Sequence, residues 1–256
     1  MPFTLAHPAA AIPFRRTPLI LSAMVMGCCV PDFPYFLFQS QHSAYGHTIA
    51  GLFVLDLPLA IAALWVFHAL IKQPLLLFLP AGMRRRLTTS VDRFRFWPGK
   101  RFLLIVLSVV IGAATHLVCD AFTHSDSWIY RHWAFERRTV ELPASGAMGM
   151  YKVLEYAGSV AGLAVVAVWV WRWYRTTKPS AAPVARPERG FAAGLPVLAI
   201  LGGTWCAWHH DGIALEIRPI VHFTADLVMA AISLFLLGLL VYGVILRQRR
   251  AVAVPV

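Results

Sequence analysis

Six apolar runs, each close to 20 residues or longer, punctuate this chain at roughly 17–38, 48–71, 101–122, 151–171, 191–209 and 220–246, and about 20 apolar residues are what an α-helix needs to cross a ~30 Å hydrocarbon layer. No other feature constrains the fold as much. In hydrocarbon each backbone N–H and C=O must be satisfied internally, which for segments of this length means helices. The expected fold is all-α: a polytopic integral membrane protein of about six transmembrane helices. Composition agrees, since 59% of the residues are hydrophobic and only 14% charged, far from the balance of a soluble domain.

The net charge of +11 would suit a nucleic-acid partner, but its placement argues for membrane topology instead. Eighteen of the 23 cations fall in segments that six helices would leave on one side, including Arg15, Arg16, Arg84, Arg85, Arg86, Arg93, Arg95, Arg172, Arg175, Arg186 and Arg247, with only Asp92 and Glu188 as acids there. The excess of Lys and Arg on cytoplasmic loops puts both termini in the cytoplasm. Met1–Phe14 carries Pro2, Pro8 and Pro13 and has no cationic stretch ahead of an apolar core, so it is not expected to be a cleaved signal peptide. Cys28, Cys29, Cys119 and Cys206 lie in apolar runs without a Cys-x-x-Cys pair, which reads as small core residues rather than a disulfide framework or zinc ribbon.

Three regions follow: residues 1–175 as a four-helix membrane unit, 176–190 as a Pro/Ala-rich basic cytoplasmic linker, and 191–256 as a two-helix membrane hairpin. The linker reads TTKPSAAPVARPERG, a composition that breaks helices. Met83–Gly99 mixes arginines with Leu87, Phe94, Phe96 and Trp97, as suits a segment lying on lipid headgroups. Thr123–Met150 is the longest external stretch, with Trp128, Tyr130 and Trp133 near its start; an aromatic belt or a lid would each account for them.

Within these apolar helices ionisable residues recur at one depth. In His116-Leu-Val-Cys-Asp120-Ala-Phe-Thr-His124 the four-residue spacing stacks His116, Asp120 and His124 on one helical face, where imidazoles and a carboxylate can share a cation or a proton. Counting from the cationic ends of their helices, Asp32 and His116 both stand about 22 Å up at 1.5 Å per residue. Helices entering from outside would place His47 at the mouth, His222 just below it, and Asp226 and Asp56 about 9 and 12 Å deep, while His42 and His124 occupy external loops or helix ends. Such groups are costly in lipid unless they face a partner, a cavity or water. Asp32, in VPDFPYF, can equally cap or break a helix beside its prolines, and Asp56, before Pro58, can equally pair around a kink.

The opening MPFTLAHPAAAIPFRR, the VPDFPYF step, GHTIAGLFVLDLPLA and ATHLVCDAFTH resemble the bacterial membrane family known as domain of unknown function 4184, most distinctively through the fourth helix. The order His, Pro-Asp, Gly-His-Thr, His-x-x-x-Asp is also distantly similar to inner-membrane metal-dependent hydrolases. That resemblance implies His7, Asp32, His47, His116 and Asp120 as a ligand set. It departs from those hydrolases in having only Tyr45-Gly46-His47-Thr48 where they show a longer His-Arg-Gly-x-Thr-His-like string. His7 precedes Arg15 and Arg16 and reaches the level of Asp32 only if Thr4–Phe14 forms a short re-entrant helix.

Three functions fit this pattern. The first is a metal-dependent hydrolase using Zn²⁺ or another divalent ion, with Asp56 or Asp226 as base and His124, His222 and His42 as accessory groups, acting on a lipid-linked or small ester or phosphoester at the non-cytoplasmic face. The second is a scaffold whose polar residues glue helices together, and the third a proton-coupled transporter. Lipids are the expected surroundings, in a bacterial cytoplasmic membrane; neither a nucleotide cofactor nor a nucleic-acid partner is expected.

Overall fold

A computed structural model of the chain describes residues 4–38, 45–87, 94–142, 146–180, 189–211 and 217–252. Among the described residues, six helices are long and apolar enough to cross a membrane: Leu21–Phe38, Ile49–Leu77, Gly99–Ala121, Met150–Thr176, Gly190–His209 and Phe223–Arg249, hereafter spans one to six. The protein is an all-α polytopic membrane protein. Between spans three and four it adds what the apolar pattern does not signal. A short helix, Trp128–His132, is capped by the Ser127 hydroxyl accepting from the Tyr130 N–H at 3.0 Å. An antiparallel pair follows, β1 (Thr139–Leu142) with β2 (Gly146–Gly149), Thr139 opposite Gly149.

The chain packs as two units. One comprises Met1–Asp32, Ala44–Leu64 and Arg95–Thr176, the other Phe33–Ser43, Trp65–Phe94 and Thr177–Val256. Trp65–Phe94 therefore packs with the C-terminal helices, although the sequence groups it with the N-terminal four. Most of the 176–190 linker lies outside the described residues.

In the first unit, spans one and three touch backbone to backbone. A Cβ added at Gly27 would overlap the Val109 carbonyl, and one at Gly112 would overlap the Met24 carbonyl, the close approach that small residues permit where helices meet. Span one begins at Ile20, which has no side chain to cap a helix. The Ser108 hydroxyl of span three instead accepts the Ile20 N–H at 2.9 Å and donates to the Leu104 carbonyl. Pro31 and Pro34 have no N–H for the carbonyls of Gly27 and Val30, and the helix tightens into a 3-10 turn over Val30–Asp32 between Leu21–Cys29 and Phe33–Phe38.

Thr4–Arg16 is a 3-10 helix, more extended than the re-entrant α-helix its position invited. At about 2.0 Å per residue its 13 residues run roughly 26 Å, with His7 near one end and Arg15 and Arg16 at the other. Ala11 packs with Met24 and Cys28 of span one, and Ala6 lies against Gly162 of span four so closely that a Cβ there would come within 2.8 Å.

Span two holds two turns widened to the π pattern, Leu52–Asp56 and Phe67–Ile71, in which Leu57 and Lys72 donate to the carbonyls of Leu52 and Phe67. Each precedes a proline, Pro58 or Pro74, that cannot serve the carbonyl four residues back. In the second unit the Leu70 carbonyl left by Pro74 is where Gly243 of span six makes its closest approach. Span six also meets span five through Gly203, beside the Leu227 carbonyl, and through Phe191 stacked on Tyr242 at 3.8 Å.

Gly112→Ala is expected to push spans one and three apart and cost about 1–3 kcal/mol, as overpacking does, lowering the thermal midpoint of the detergent-solubilised protein. Gly158→Ala, where a Cβ meets nothing within 4 Å, is expected to leave it unchanged. Equal midpoints for the two variants would contradict the backbone contact.

Candidate metal centre

One turn beyond Gly112 on the same face of span three stands His116, and one turn further Asp120. Both are buried, as are Asp32 and Asp56. The Gly27 contact brings the end of span one alongside, so that His116 Nδ1–H donates to the Cys28 carbonyl at 2.8 Å. A carbonyl can only accept, so the proton sits on Nδ1 and the Nε2 lone pair is left facing inward, the usual arrangement of a ligating histidine.

His47 comes from the turn ahead of span two. Thr48 caps that span, its hydroxyl accepting from the Gly51 N–H at 2.9 Å and donating to the Tyr45 carbonyl at 2.8 Å. Gly51 must be glycine, since a Cβ would overlap the Tyr45 carbonyl. The cap thus sets where the Tyr45–His47 turn projects. His47 Nε2 lies 3.2 Å from Asp120 Oδ2 and 3.5 Å from Asp32 Oδ1. His116 Nε2 has the same two separations, and the two Nε2 atoms are 3.4 Å apart.

One donor atom from each of Asp32, His47, His116 and Asp120 lies within 4.8 Å of every other, and five of the six edges measure 3.2–3.5 Å. A tetrahedron with ligands about 2.0–2.1 Å from its centre has edges of roughly 3.3–3.4 Å. The group could hold a metal ion. Despite these approaches, Asp32 Oδ1 and both oxygens of Asp120 have no hydrogen bond of acceptable geometry; donors and acceptors converge on a point rather than on one another. Burial works against a charged His47 ring, but the carboxylates of Asp120 and Asp32 outweigh it and raise its pKa to about 9. A proton there does part of what a cation would do.

Around this group stand supporting residues. Thr4 Oγ1 donates to Asp32 Oδ2 at 2.6 Å, which leaves Oδ1 for the centre. His7 stacks on His116 with centroids 3.9 Å apart, its Nε2 3.7 Å from Asp120 Oδ1. Burial and the neighbouring His116 hold its pKa down to about 4. His124 donates from Nδ1 to the Asp120 carbonyl at 2.9 Å and stays 4.0 Å from Asp120 Oδ2. Asp56 is carried in the widened turn of span two, its Oδ1 3.1 Å from where a Gly46 Cβ would be, and neither of its oxygens has a hydrogen-bond partner.

The structure therefore brings together Asp32, His47, His116 and Asp120, with His7, Asp56 and His124 against them. Asp226 belongs to span six and the second unit, whereas the four-residue group is built wholly within the first. His42 and the side chain of His222 lie outside the described residues. Sequence reasoning did not find Thr4 or the Cys28 carbonyl. A hydroxyl in an unpatterned N-terminal segment and a main-chain oxygen carry no sequence signal.

A family model described as a domain of unknown function, DUF4184, matches residues 1–244. The chain belongs to that family. The match runs well into span six, so family membership covers the C-terminal pair as well as the helices with the distinctive motifs. No curated protein and no solved structure matches the chain.

Removing the support of a ligand typically costs 10- to 100-fold in metal affinity. Thr4→Val, which keeps the shape and deletes the hydroxyl, is expected to weaken divalent-cation binding by that factor and, by leaving the buried Asp32 Oδ2 without its donor, to lower the thermal midpoint of the cation-free protein. Competition against a chelator of known affinity measures it, and an unchanged affinity would show that Thr4 does not orient Asp32.

Proposed function

We propose that this protein is a membrane-embedded metal-dependent hydrolase acting on an ester or phosphoester, lipid-linked or small, presented at the non-cytoplasmic side. The observation that carries the proposal is the near-tetrahedral convergence of Asp32, His47, His116 and Asp120, with buried carboxylate oxygens that no hydrogen bond satisfies.

A scaffold that used these residues as glue would hydrogen-bond them to one another, because an unsatisfied buried polar group costs about 1–3 kcal/mol. Here the orphaned atoms face a shared point instead. Two histidines and two carboxylates make a donor set suited to Zn²⁺ or a similar divalent ion. Held by these four residues, an ion would need to expand to a fifth position to take up water or an ester oxygen; there it would supply Lewis acidity and lower the pKa of the water.

In this reading Asp32, His47, His116 and Asp120 are the ligands, Thr4 and the Cys28 carbonyl fix their orientation, and Asp56 is the base. Asp56 lies beside the backbone that carries His47 and holds no other partner, so its carboxylate is free to accept the proton of the attacking water. A bond forms from the water oxygen to the acyl carbon or phosphorus, the ester bond breaks, and the proton passes from Asp56 to the departing alcohol. Burial of the centre excludes bulk water and strengthens each of these electrostatic contacts.

Purified wild-type protein is expected to retain at least one equivalent of a divalent ion, and His116→Ala to lose it. Asp56→Asn is expected to keep the ion while hydrolysis of a chromogenic ester or phosphoester falls by at least about 100-fold, the scale of a general base. Metal-free wild-type protein that takes up no added Zn²⁺ or Mn²⁺ would sink the proposal, as would full retention in His116→Ala.

A further inference from the structure

We propose that His7 and Asp120 hold a second divalent cation next to the first, that the Asp120 carboxylate is shared between the two, and that the substrate is a phosphoester. This rests on the single-ion reading above and extends it. His7 is buried, and its Nε2 has no hydrogen-bond partner; Asp120 Oδ1 is likewise buried and without one. The two atoms face each other across 3.7 Å. That is beyond hydrogen-bond range, yet within the roughly 4.2 Å that two donors can span when each lies about 2.0–2.2 Å from one ion. The His7 ring is held in place by stacking on His116, with 23° between planes.

Asp120 is the pivot. Its Oδ2 lies 3.2 Å from both His47 Nε2 and His116 Nε2, whereas Oδ1 faces His7. One carboxylate with its oxygens committed to two separate nitrogen sets is the form of a bridging ligand. Charge leads the same way. Asp32, Asp56 and Asp120 are three buried carboxylates in one site, and with neutral histidines a single divalent ion leaves one negative charge uncompensated. A second ion leaves one positive charge instead, which a phosphoester anion neutralises on binding and an uncharged ester does not. Paired divalent ions sharing ligands are a recurrent feature of phosphoester-cleaving sites.

The test is Mn²⁺ stoichiometry and electron paramagnetic resonance of the full chain in detergent. Wild type is expected to bind two Mn²⁺ per chain with an exchange-coupled spectrum, and His7→Gln to bind one with the six-line spectrum of an isolated ion. Inorganic phosphate is expected to alter the coupled spectrum, and an uncharged ester such as ethyl acetate to leave it unchanged. One Mn²⁺ in wild type, or two in His7→Gln, overturns the second site and leaves the first standing. No binding to wild type overturns both, and two coupled ions indifferent to phosphate overturn the phosphoester. If His7→Gln does not fold, the wild-type stoichiometry and coupling decide alone.

Discussion

The first unit depends on the contact between Gly27 and Gly112. Two helices that meet through side chains stand 8–10 Å apart. Here a Cβ on either glycine would overlap a carbonyl of the other helix, so the backbones themselves touch. Only at that separation does the Cys28 carbonyl reach the ring of His116, and the carbonyl then dictates which imidazole nitrogen is free. Ser108 fixes the other end of the same helix pair by capping span one. The geometry of the His/Asp group is thus inherited from packing a turn away.

That rigidity bears on how so many ionisable groups coexist in an apolar interior. Buried carboxylates and imidazoles are tolerated when each has a partner, and the outer layer here is well partnered. Thr4 serves Asp32, the Cys28 carbonyl serves His116, and the Asp120 carbonyl serves His124. The inner layer is not. Satisfied rims around unsatisfied centres hold their strain because the surrounding helices cannot relax toward one another.

The pairing of His116 with Asp120 was legible because a helix puts residues four apart on one face, and span three is an uninterrupted helix. Asp32 and His47 were legible by depth, since apolar helices convert residue count into height at a fixed rise. The same logic failed at the N-terminus, where a 3-10 path has no 3.6-residue apolar period and covers more distance per residue than an α-helix. His7 was therefore reachable only through resemblance. Span two was read as plain helix, and its widened turns depend on where Pro58 and Pro74 withdraw a donor, which hydropathy does not register. The division of packing within spans one and two was invisible too, because apolar residues facing different neighbours read alike in sequence.

The 3-10 segment Thr4–Arg16 has a consequence for the order in which the protein assembles. It is synthesised before the residues it packs against: Met24 and Cys28 of span one, His116 of span three and Gly162 of span four. Lacking an apolar stretch of its own that could insert unaided, it can complete its docking only after span four has been made and packed. A segment made ahead of these helices is thereby among the last to settle in this unit, and Thr4 and His7 close the His/Asp group only after the helices that carry its four converging side chains are already in place.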